Sequence, residues 1–378
     1  MAHRAIKYRL YPTTEQCIMF AKTFGCCRKV YNLMLSDKIE GYRATGKFPA
    51  VTPAKYKGEY PYLKEVDSLA LANAQMNLQS AFRNRFSKSR RKKNRFPKFK
   101  SAKHSRKAYT TNNQNGTVAL TDRGIRLPKI GHVKAVIHRK PDEGWKVKSA
   151  TVSQESDDRF YVSVLFEYEA SVSTYTADRT NAVGLDYTSG GLYTDSRGNT
   201  GSCHKYYRES QRKLARAQRR LSRRQGSKKG ESQSSNYKKQ LRRVNRIHRH
   251  IARQRLDSLH KKSTEIANQY DVVCVETLNM KAMSNRGFGN GKATLDNGYG
   301  MFLSMLEYKL ADRNKLLVRV GKWFPSSQIC HCCGTVHPEM KDLRIRTIRC
   351  GCGLVMDRDQ NAAKNILQEG LRLLAEQG

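Results

Sequence analysis

The sequence predicts a multidomain α+β chain, with a β-rich N-terminal domain interrupted by two helices and an α/β domain carrying a small cysteine ribbon near its end. Three observations carry this expectation. Short strand-like runs broken by Asn-Gly, Asp-Arg-Gly and Asp-Glu-Gly turns fill residues 109–168. Two apolar runs of the second half, 182–186 and 271–276, each end in a carboxylate, Asp186 and Glu276. Two cysteine pairs, Cys330 with Cys333 and Cys350 with Cys352, stand 16 residues apart.

The chain has 378 residues, enough for two or three domains and a sizeable core. Its 72 Lys and Arg against 32 Asp and Glu give a net charge of +40, which calls for a polyanionic partner. Charge names a class of partner and not an activity. No window approaches the ~18 apolar residues of a membrane span, and residues 1–10 lack the apolar stretch of a secretory signal. The expected location is the cytoplasm, with association to the nucleoid when DNA is bound. Five of the ten cysteines fall between 330 and 352. In a reducing compartment that pattern favours a metal site plus ordinary buried thiols over disulfides.

Residues 3–11 alternate as a strand with Ile6, Tyr8 and Leu10 on one face, and Pro12 ends it. Thr13-Thr-Glu-Gln16 is a capping-box signal for a helix with Phe20, Phe24, Cys27, Tyr31 and Leu35 at helical spacing. A second helix is expected over 68–86. The run 85–107 then holds 12 Lys or Arg and no acid, interleaved with Phe86, Phe96 and Phe99. Charge for phosphates and rings for stacking fit a nucleic-acid groove, with Lys98 and Lys100 flanking Phe99 as its most specific positions. The competing reading is a solvated basic face. The strands of 109–168 complete the domain, and the polar stretch 170–180 is the expected boundary.

The strand 182–186 is followed by a hairpin through Leu192 and Tyr193. Two basic helices, near 205–224 and 237–268, are joined by the Gly- and Ser-rich segment 226–236. Leu214, Ala217 and Leu221, with Leu241, Val244, Ile247 and Ile251, make a narrow apolar seam. Between Cys203 and Lys262, 21 Lys or Arg face 3 acids, so most of that surface is positive. A Gly- and Asn-rich loop at 285–298, a helix at 301–314, a strand at 316–321, the ribbon and a last helix at 361–375 complete the chain.

Asp186, Glu276 and Asp359 each stand at the edge of a regular element in an otherwise basic protein. Carboxylates converging from strand ends and a helix start can hold two Mg2+ ions ~3.5–4 Å apart, one activating a water and one stabilising the leaving oxygen of a phosphodiester. Singly, Asp186 also reads as a turn residue, Glu276 as an ion-paired strand end and Asp359 as a helix cap. Asp357 competes with Asp359 for the metal role, and helix geometry does not choose between them. Cys330, Cys333, Cys350 and Cys352 supply four thiolates for one structural zinc, with Cys332 as a substitute for a neighbour.

Several stretches together resemble the TnpB family of transposon-encoded RNA-guided DNA endonucleases, related to the type V CRISPR effectors. They are Arg9-Leu-Tyr-Pro-Thr13, Gly25-Cys-Cys-Arg28-x-Val-Tyr-Asn32, Phe96-Pro-Lys-Phe-Lys100, Gly-Leu-Asp186, Val-Glu276-Thr-Leu-Asn, Phe324-Pro-Ser-Ser-Gln328 and Asp-Arg-Asp359-x-Asn-Ala-Ala. The matches run from Arg9 to Asn365. The resemblance implies a β-barrel-like wedge domain (1–11 and 105–175) with a helical recognition insert (12–104), then an RNase H-like RuvC nuclease domain (180–378) with an inserted zinc ribbon (325–355). It implies Asp186, Glu276 and Asp359 as the catalytic, Mg2+-binding triad. It also implies a guide RNA encoded at the transposon end, a double-stranded DNA target and a short motif beside that target read by the protein. Arg28, Lys98, Lys100, Arg216, Arg220, Arg223, Arg242 and Arg246 are the candidate nucleic-acid contacts. The second cysteine pair is Cys-x-Cys where many relatives have Cys-x-x-Cys, and Tyr-Thr-Ser-Gly-Gly follows Asp186 in place of a Val-Gly continuation.

Three other readings compete. A nuclease-dead RNA-guided regulator would lack triad carboxylates, and all three are present. A cut-and-paste transposase would carry its acids in the order Asp, Asp, Glu. A zinc-ribbon ribosomal or regulatory RNA-binding protein would leave Asp186 and Glu276 unexplained.

Overall fold

A computed structural model describes residues 1–87, 96–169, 176–226, 233–285 and 291–376, so residues 88–95 of the basic run at 85–107 lie outside the described residues. The chain forms two compact units, Met1–Ser171 and Val172–Gly378.

In the first unit, β1 (Ala2–Tyr11) buries Ile6, Tyr8 and Leu10 through its alternation. Helix α1 (Thr14–Thr45) begins at a capping box in which Thr13 and Gln16 bond reciprocally, and it ends at Gly46, whose φ of 67° suits a residue without a Cβ. Phe20, Phe24, Cys27, Tyr31 and Leu35 form part of its buried face. Helix α2 (Ser68–Phe86) is capped by Asp67, which accepts the amides of Leu69 and Ala70 and also the Thr111 hydroxyl. That cap ties the helix to the sheet.

Six further strands follow: β2 (Ala108–Asn112), β3 (Ala119–Thr121), β4 (Gly124–Leu127), β5 (Gly131–Val136), β6 (Lys146–Gln154) and β7 (Phe160–Tyr168). They join β1 in one antiparallel sheet of order β2-β6-β7-β1-β5-β4-β3. The first strand of the sequence sits inside the sheet, so both helices are spliced between it and β2. Phe20 and Phe24 pack on Tyr109, and Phe20 also packs on Phe160, which joins helices and sheet in one core. Among the described residues no ladder joins β2 to β3. The sheet is therefore open where a barrel-like closure is expected.

The second unit starts with β8 (Ala182–Tyr187), β9 (Tyr193–Asp195) and β10 (Thr200–Gly201), then α3 (Tyr206–Arg223), α4 (Ser235–Gln269) and β11 (Val272–Glu276). It continues through α5 (Met280–Met283), α6 (Gly291–Asn297), α7 (Tyr299–Ala311), β12 (Leu316–Val320), β13 (Thr347–Arg349), β14 (Val355–Asp357) and α8 (Arg358–Glu376). Strands β8, β11 and β12 are parallel in a sheet of order β10-β9-β8-β11-β12. Buried on both faces, β11 reads as a continuous apolar run. Val273 and Val275 face α4 and α7, whereas Val272 and Cys274 meet Ile366 of α8. Helix α8 lies so close that a Cβ on Gly184 would strike the Ala363 carbonyl, and one on Gly370 the Cys274 sulfur. These contacts fix where the start of α8 falls relative to the strand ends.

Three differences from the sequence reading have local causes. Part of the expected 285–298 loop is the helix α6, at whose end Asn297 donates to the carbonyls of Thr188, Ser189 and Gly191. In the α3–α4 seam Leu241 is half-buried, and Gln240 is buried beside it, donating to the Ala217 carbonyl at 2.8 Å. Helix α8 begins at Arg358, three residues before the expected start, because Asp357 caps it. Among the described residues no helix is long and apolar enough to cross a membrane.

Candidate active site

Strands β8 and β11 run in parallel with Leu185 opposite Val275, so the next residues, Asp186 and Glu276, come side by side at the same edge of the sheet. Helix α8, pressed onto these strands, carries Asp359 in its first turn. All three carboxylates line one cleft of about 960 Å3, together with Thr188, Ser326, Arg346 and Arg358. Asp357 is exposed and differently employed: its Oδ1 accepts the amides of Asp359 at 2.9 Å and Gln360 at 3.1 Å.

The cleft disfavours negative charge on its own carboxylates. Burial pushes Asp186 well above the usual carboxylate range, and the charges of Glu276 and Asp359 push it further, against the pull of Arg358. Glu276 is raised by burial, opposed by the Ser326 hydroxyl that donates to its Oε1. Burial also raises Asp359, with the Arg346 Nη1 at 3.5 Å pulling the other way. The fully buried Tyr299 phenol, which has no hydrogen-bond partner among the described residues, has its pKa raised chiefly by burial and then by Asp186 and Glu276. Oxygen donors that repel one another in a partly desolvated cleft are relieved by a hard divalent cation, and the donor set suits Mg2+. The carboxylates are nonetheless more widely spread than the ribbon sulfurs, the one group among the described residues whose ligand atoms all lie within 4.8 Å of one another.

That group is the Sγ atoms of Cys330, Cys333, Cys350 and Cys352; Cys332 is exposed and stands outside it. Each pair sits on a tight turn. The Gly334 amide donates to the Cys330 carbonyl, and the Gly353 amide to the Cys350 carbonyl, with both glycines at positive φ. The short Cys-x-Cys spacing therefore still brings both sulfurs to the cluster. The shared protons of the cluster split its thiols: Cys333 is held below its ordinary pKa, chiefly by a hydrogen bond with the Thr335 hydroxyl, whereas Cys352 is raised against the pull of the Leu354 backbone by burial and its sulfur neighbours, so the case for a metal rests on the convergence of the four sulfurs. Four convergent thiols fit one tetrahedral zinc.

The ribbon is fastened to α8 through two buried amides missed by the sequence reading. Asn361 accepts the His331 amide at 3.1 Å and donates to the Ile329 carbonyl at 2.7 Å, and Asn365 donates to the carbonyls of Ser326 and Ile329. Their i, i+4 spacing on one helix face was the available signal. Ser326, Arg346, Arg358 and Tyr299 were also missed. Ser326 lies in the stretch Phe324-Pro-Ser-Ser-Gln328, but nothing in the residue type points to Glu276.

The candidate nucleic-acid contacts divide by burial. Lys98 is exposed, as is Phe99 at 57% of its surface. Lys100 is not a free surface cation: its Nζ lies 3.7 Å from the Tyr31 ring centroid, its backbone exchanges hydrogen bonds with Asn32, and burial lowers its pKa. Arg28, half-buried, lines a small cavity of about 50 Å3 with Lys100. In the second unit Arg216, Arg220, Arg223, Arg242 and Arg246 are exposed. Arg216 and Arg220, with Arg212, Lys213 and Arg243, line a groove of about 340 Å3 along α3 and α4.

Comparison with known proteins agrees with this architecture. Residues 165–287 match a family model described as "Probable transposase", and residues 299–366 one described as "Cas12f1-like, TNB domain". Residues 1–47 match a "Helix-turn-helix domain" model, although here they form one strand and one long helix. A Streptomyces pristinaespiralis protein named "Putative RNA-guided DNA endonuclease" is 36% identical over 97% of this chain and 89% of its own length. The Escherichia coli (strain K12) protein "Putative RNA-guided DNA endonuclease InsQ" is 30% identical over 98% and 93%. A solved structure titled "Cryo-EM structure of the Cas12f1-sgRNA-target DNA complex" shares the fold with a TM-score of 0.59 at 12% identity, covering 97% of this chain and 98% of that one. With relatives of this identity matched over almost their whole length, the chain belongs to the TnpB family.

Proposed function

We propose that this protein is a transposon-encoded, RNA-guided DNA endonuclease, and that Asp186, Glu276 and Asp359 are its catalytic carboxylates. One observation carries the reading: three acids from two strand ends and a helix start line a single cleft in a chain of net charge +40. Basic proteins that merely hold nucleic acid gain nothing from desolvated carboxylates facing the polyanion. The names of the full-length relatives support the same activity.

In this reading Asp186, Glu276 and Asp359 would hold Mg2+, which would supply an activated water and positive charge opposite the phosphodiester. The chain's own residues do the rest. Arg358, buried beside Asp186, and Arg346, beside Asp359, offset the acids and present cations toward a phosphate entering the cleft. The N-terminus of α8, capped by Asp357, fixes the backbone that bears Asp359. Thr188, Ser189 and Ser202 give one side of the cleft small polar groups that admit a strand without crowding it. The ribbon holds one structural zinc, since four thiolates leave no position for substrate.

The first unit takes the wedge role with its helical insert, and the basic groove along α3 and α4 binds RNA or DNA backbone. The guide is an RNA from the transposon end that pairs with the target strand, and the protein reads a short motif beside the target. The test is cleavage of plasmid DNA by the purified protein loaded with its transposon-end RNA. Mg2+-dependent cutting is expected at a guide-matched site next to the motif, and Asp186→Ala, Glu276→Ala and Asp359→Ala are each expected to abolish it while retaining RNA. Equal, site-specific cutting by RNA-free protein would overturn the proposal.

A further inference from the structure

We propose that Ser326 is a positioning residue for Glu276: its hydroxyl fixes one carboxylate oxygen so that the other is presented to the cleft cation. The inference rests on the nuclease reading above and assigns a role to a residue outside the triad. Ser326 is 5% exposed, lines the same cleft as the triad, and donates through Oγ to Glu276 Oε1. A glutamate at a strand end has three side-chain torsions to lose before it can ligate a metal. A buried hydroxyl donor on one oxygen removes much of that freedom in advance.

The donor is itself held. The Ser326 carbonyl accepts from the Asn365 amide at 2.7 Å, and its own N–H donates to the Phe324 carbonyl at 2.9 Å. Phe324 packs against the core formed by Val272, Cys274, Val320 and Ile366. Asn361 and Asn365 both hold the Ile329 carbonyl, one residue before the ribbon's Cys330. Helix α8 thus presents Asp359 directly and steadies Glu276 at second hand, through Asn365 and Ser326. One rigid element governs two carboxylates that arrive from different parts of the chain.

The test compares the full-length protein with Ser326→Ala and Ser326→Thr, using Asp186→Ala to define the signal of the cleft. Binding of Mn2+ to the metal-free cleft is read by electron paramagnetic resonance, and cleavage by the RNA-loaded protein is measured against Mg2+ concentration. Removing a partner that orients a metal ligand typically costs about 10–100-fold in affinity. Ser326→Ala is therefore expected to weaken Mn2+ binding at least about tenfold and to raise the half-saturating Mg2+ concentration, with most of the rate regained at saturation. Ser326→Thr keeps a hydroxyl and should stay near the parent in both. Parental Mn2+ binding by Ser326→Ala, or a Ser326→Thr variant no better than it, would overturn the role even if the melting temperature falls. If Asp186→Ala itself binds Mn2+ like the parent, the metal reading fails first and the role of Ser326 falls with it.

Discussion

Asp357 and Asp359, two residues apart, do different work: the Oδ1 of Asp357 accepts the Asp359 amide at 2.9 Å and caps α8, which leaves the Asp359 carboxylate to the cleft. This division separates two substitutions that look alike in the sequence. Asp357→Ala should cost about 1 kcal/mol through the lost cap and retain most cleavage at temperatures where the protein is folded. Asp359→Ala should lower cleavage by several orders of magnitude with little loss of stability. Urea denaturation and cleavage rates measured on both variants check this, and full activity in Asp359→Ala with loss in Asp357→Ala would exchange the roles.

The raised pKa of Asp186 predicts a pH signature in the absence of Mg2+. A carboxyl whose folded pKa lies above its unfolded value of about 3.9 contributes stability that is full below the unfolded value and lost as pH rises through the folded one. The parent should therefore lose stability relative to Asp186→Asn as pH rises above the ordinary carboxylate range. Denaturation curves from about pH 5 to about pH 8, in Mg2+-free buffer without chelator so that the four-cysteine cluster is not stripped of any metal, should show this widening gap. Adding Mg2+ should restore the parent and leave Asp186→Asn unmoved. Protons and Mg2+ compete for the same oxygens, so the acid limb of the cleavage profile should also move to lower pH as Mg2+ is raised.

The ribbon makes its own prediction, because four of its five cysteines converge and one does not. Cys332→Ser should bind one zinc per chain and melt like the parent. Cys333→Ser should lose the zinc and melt lower, since thiolate–metal bonds in such sites are folding energy. Metal analysis beside thermal melting decides it. Zinc found in Cys333→Ser but absent from Cys332→Ser would move the ligand set by one residue.

Much of this fold was legible because local patterns and tertiary packing agree. The alternation of Ile6, Tyr8 and Leu10, the Thr13–Gln16 capping box and the helical spacing of Phe20, Phe24 and Tyr31 all correspond to observed elements. The continuous apolar run of 272–275 signals a strand covered on both faces, and the carboxylate after it emerges at the sheet edge for the same reason. What sequence could not supply depends on which distant groups meet. The aromatic partner of Lys100 lies 69 residues away in the sequence, at Tyr31, so the packing of that lysine on a ring could not be read from the basic run around it. The bond from Ser326 to Glu276 spans 50 residues and joins a motif of ordinary turn residues to a strand end. Helix α6 was hidden because its Gly- and Asn-rich flanks read as loop, while tertiary bonds such as those from Asn297 hold its end in place.

The contrast between Lys100 and the exposed cations sets a final prediction about nucleic-acid binding. Each phosphate contact by Lys or Arg releases condensed counterions, and the slope of log affinity against log salt falls by about 0.9 for each one lost on duplex DNA and about 0.7 on single strands. Arg216 and Arg220 line one groove and are exposed, so Arg216→Gln with Arg220→Gln should reduce the slope for transposon-end RNA by roughly one to two. Lys98→Gln, on an exposed side chain, should reduce it by about one or less. Lys100→Gln should leave the slope unchanged and lower the melting temperature, because it removes a cation packed on Tyr31, an interaction worth about 0.5–2 kcal/mol. Binding measured by filter retention across a salt series, beside melting curves, separates these outcomes. A reduced slope with unchanged stability in Lys100→Gln would return that lysine to the nucleic-acid surface. An unchanged slope in the Arg216 and Arg220 double variant would remove the α3–α4 groove from it.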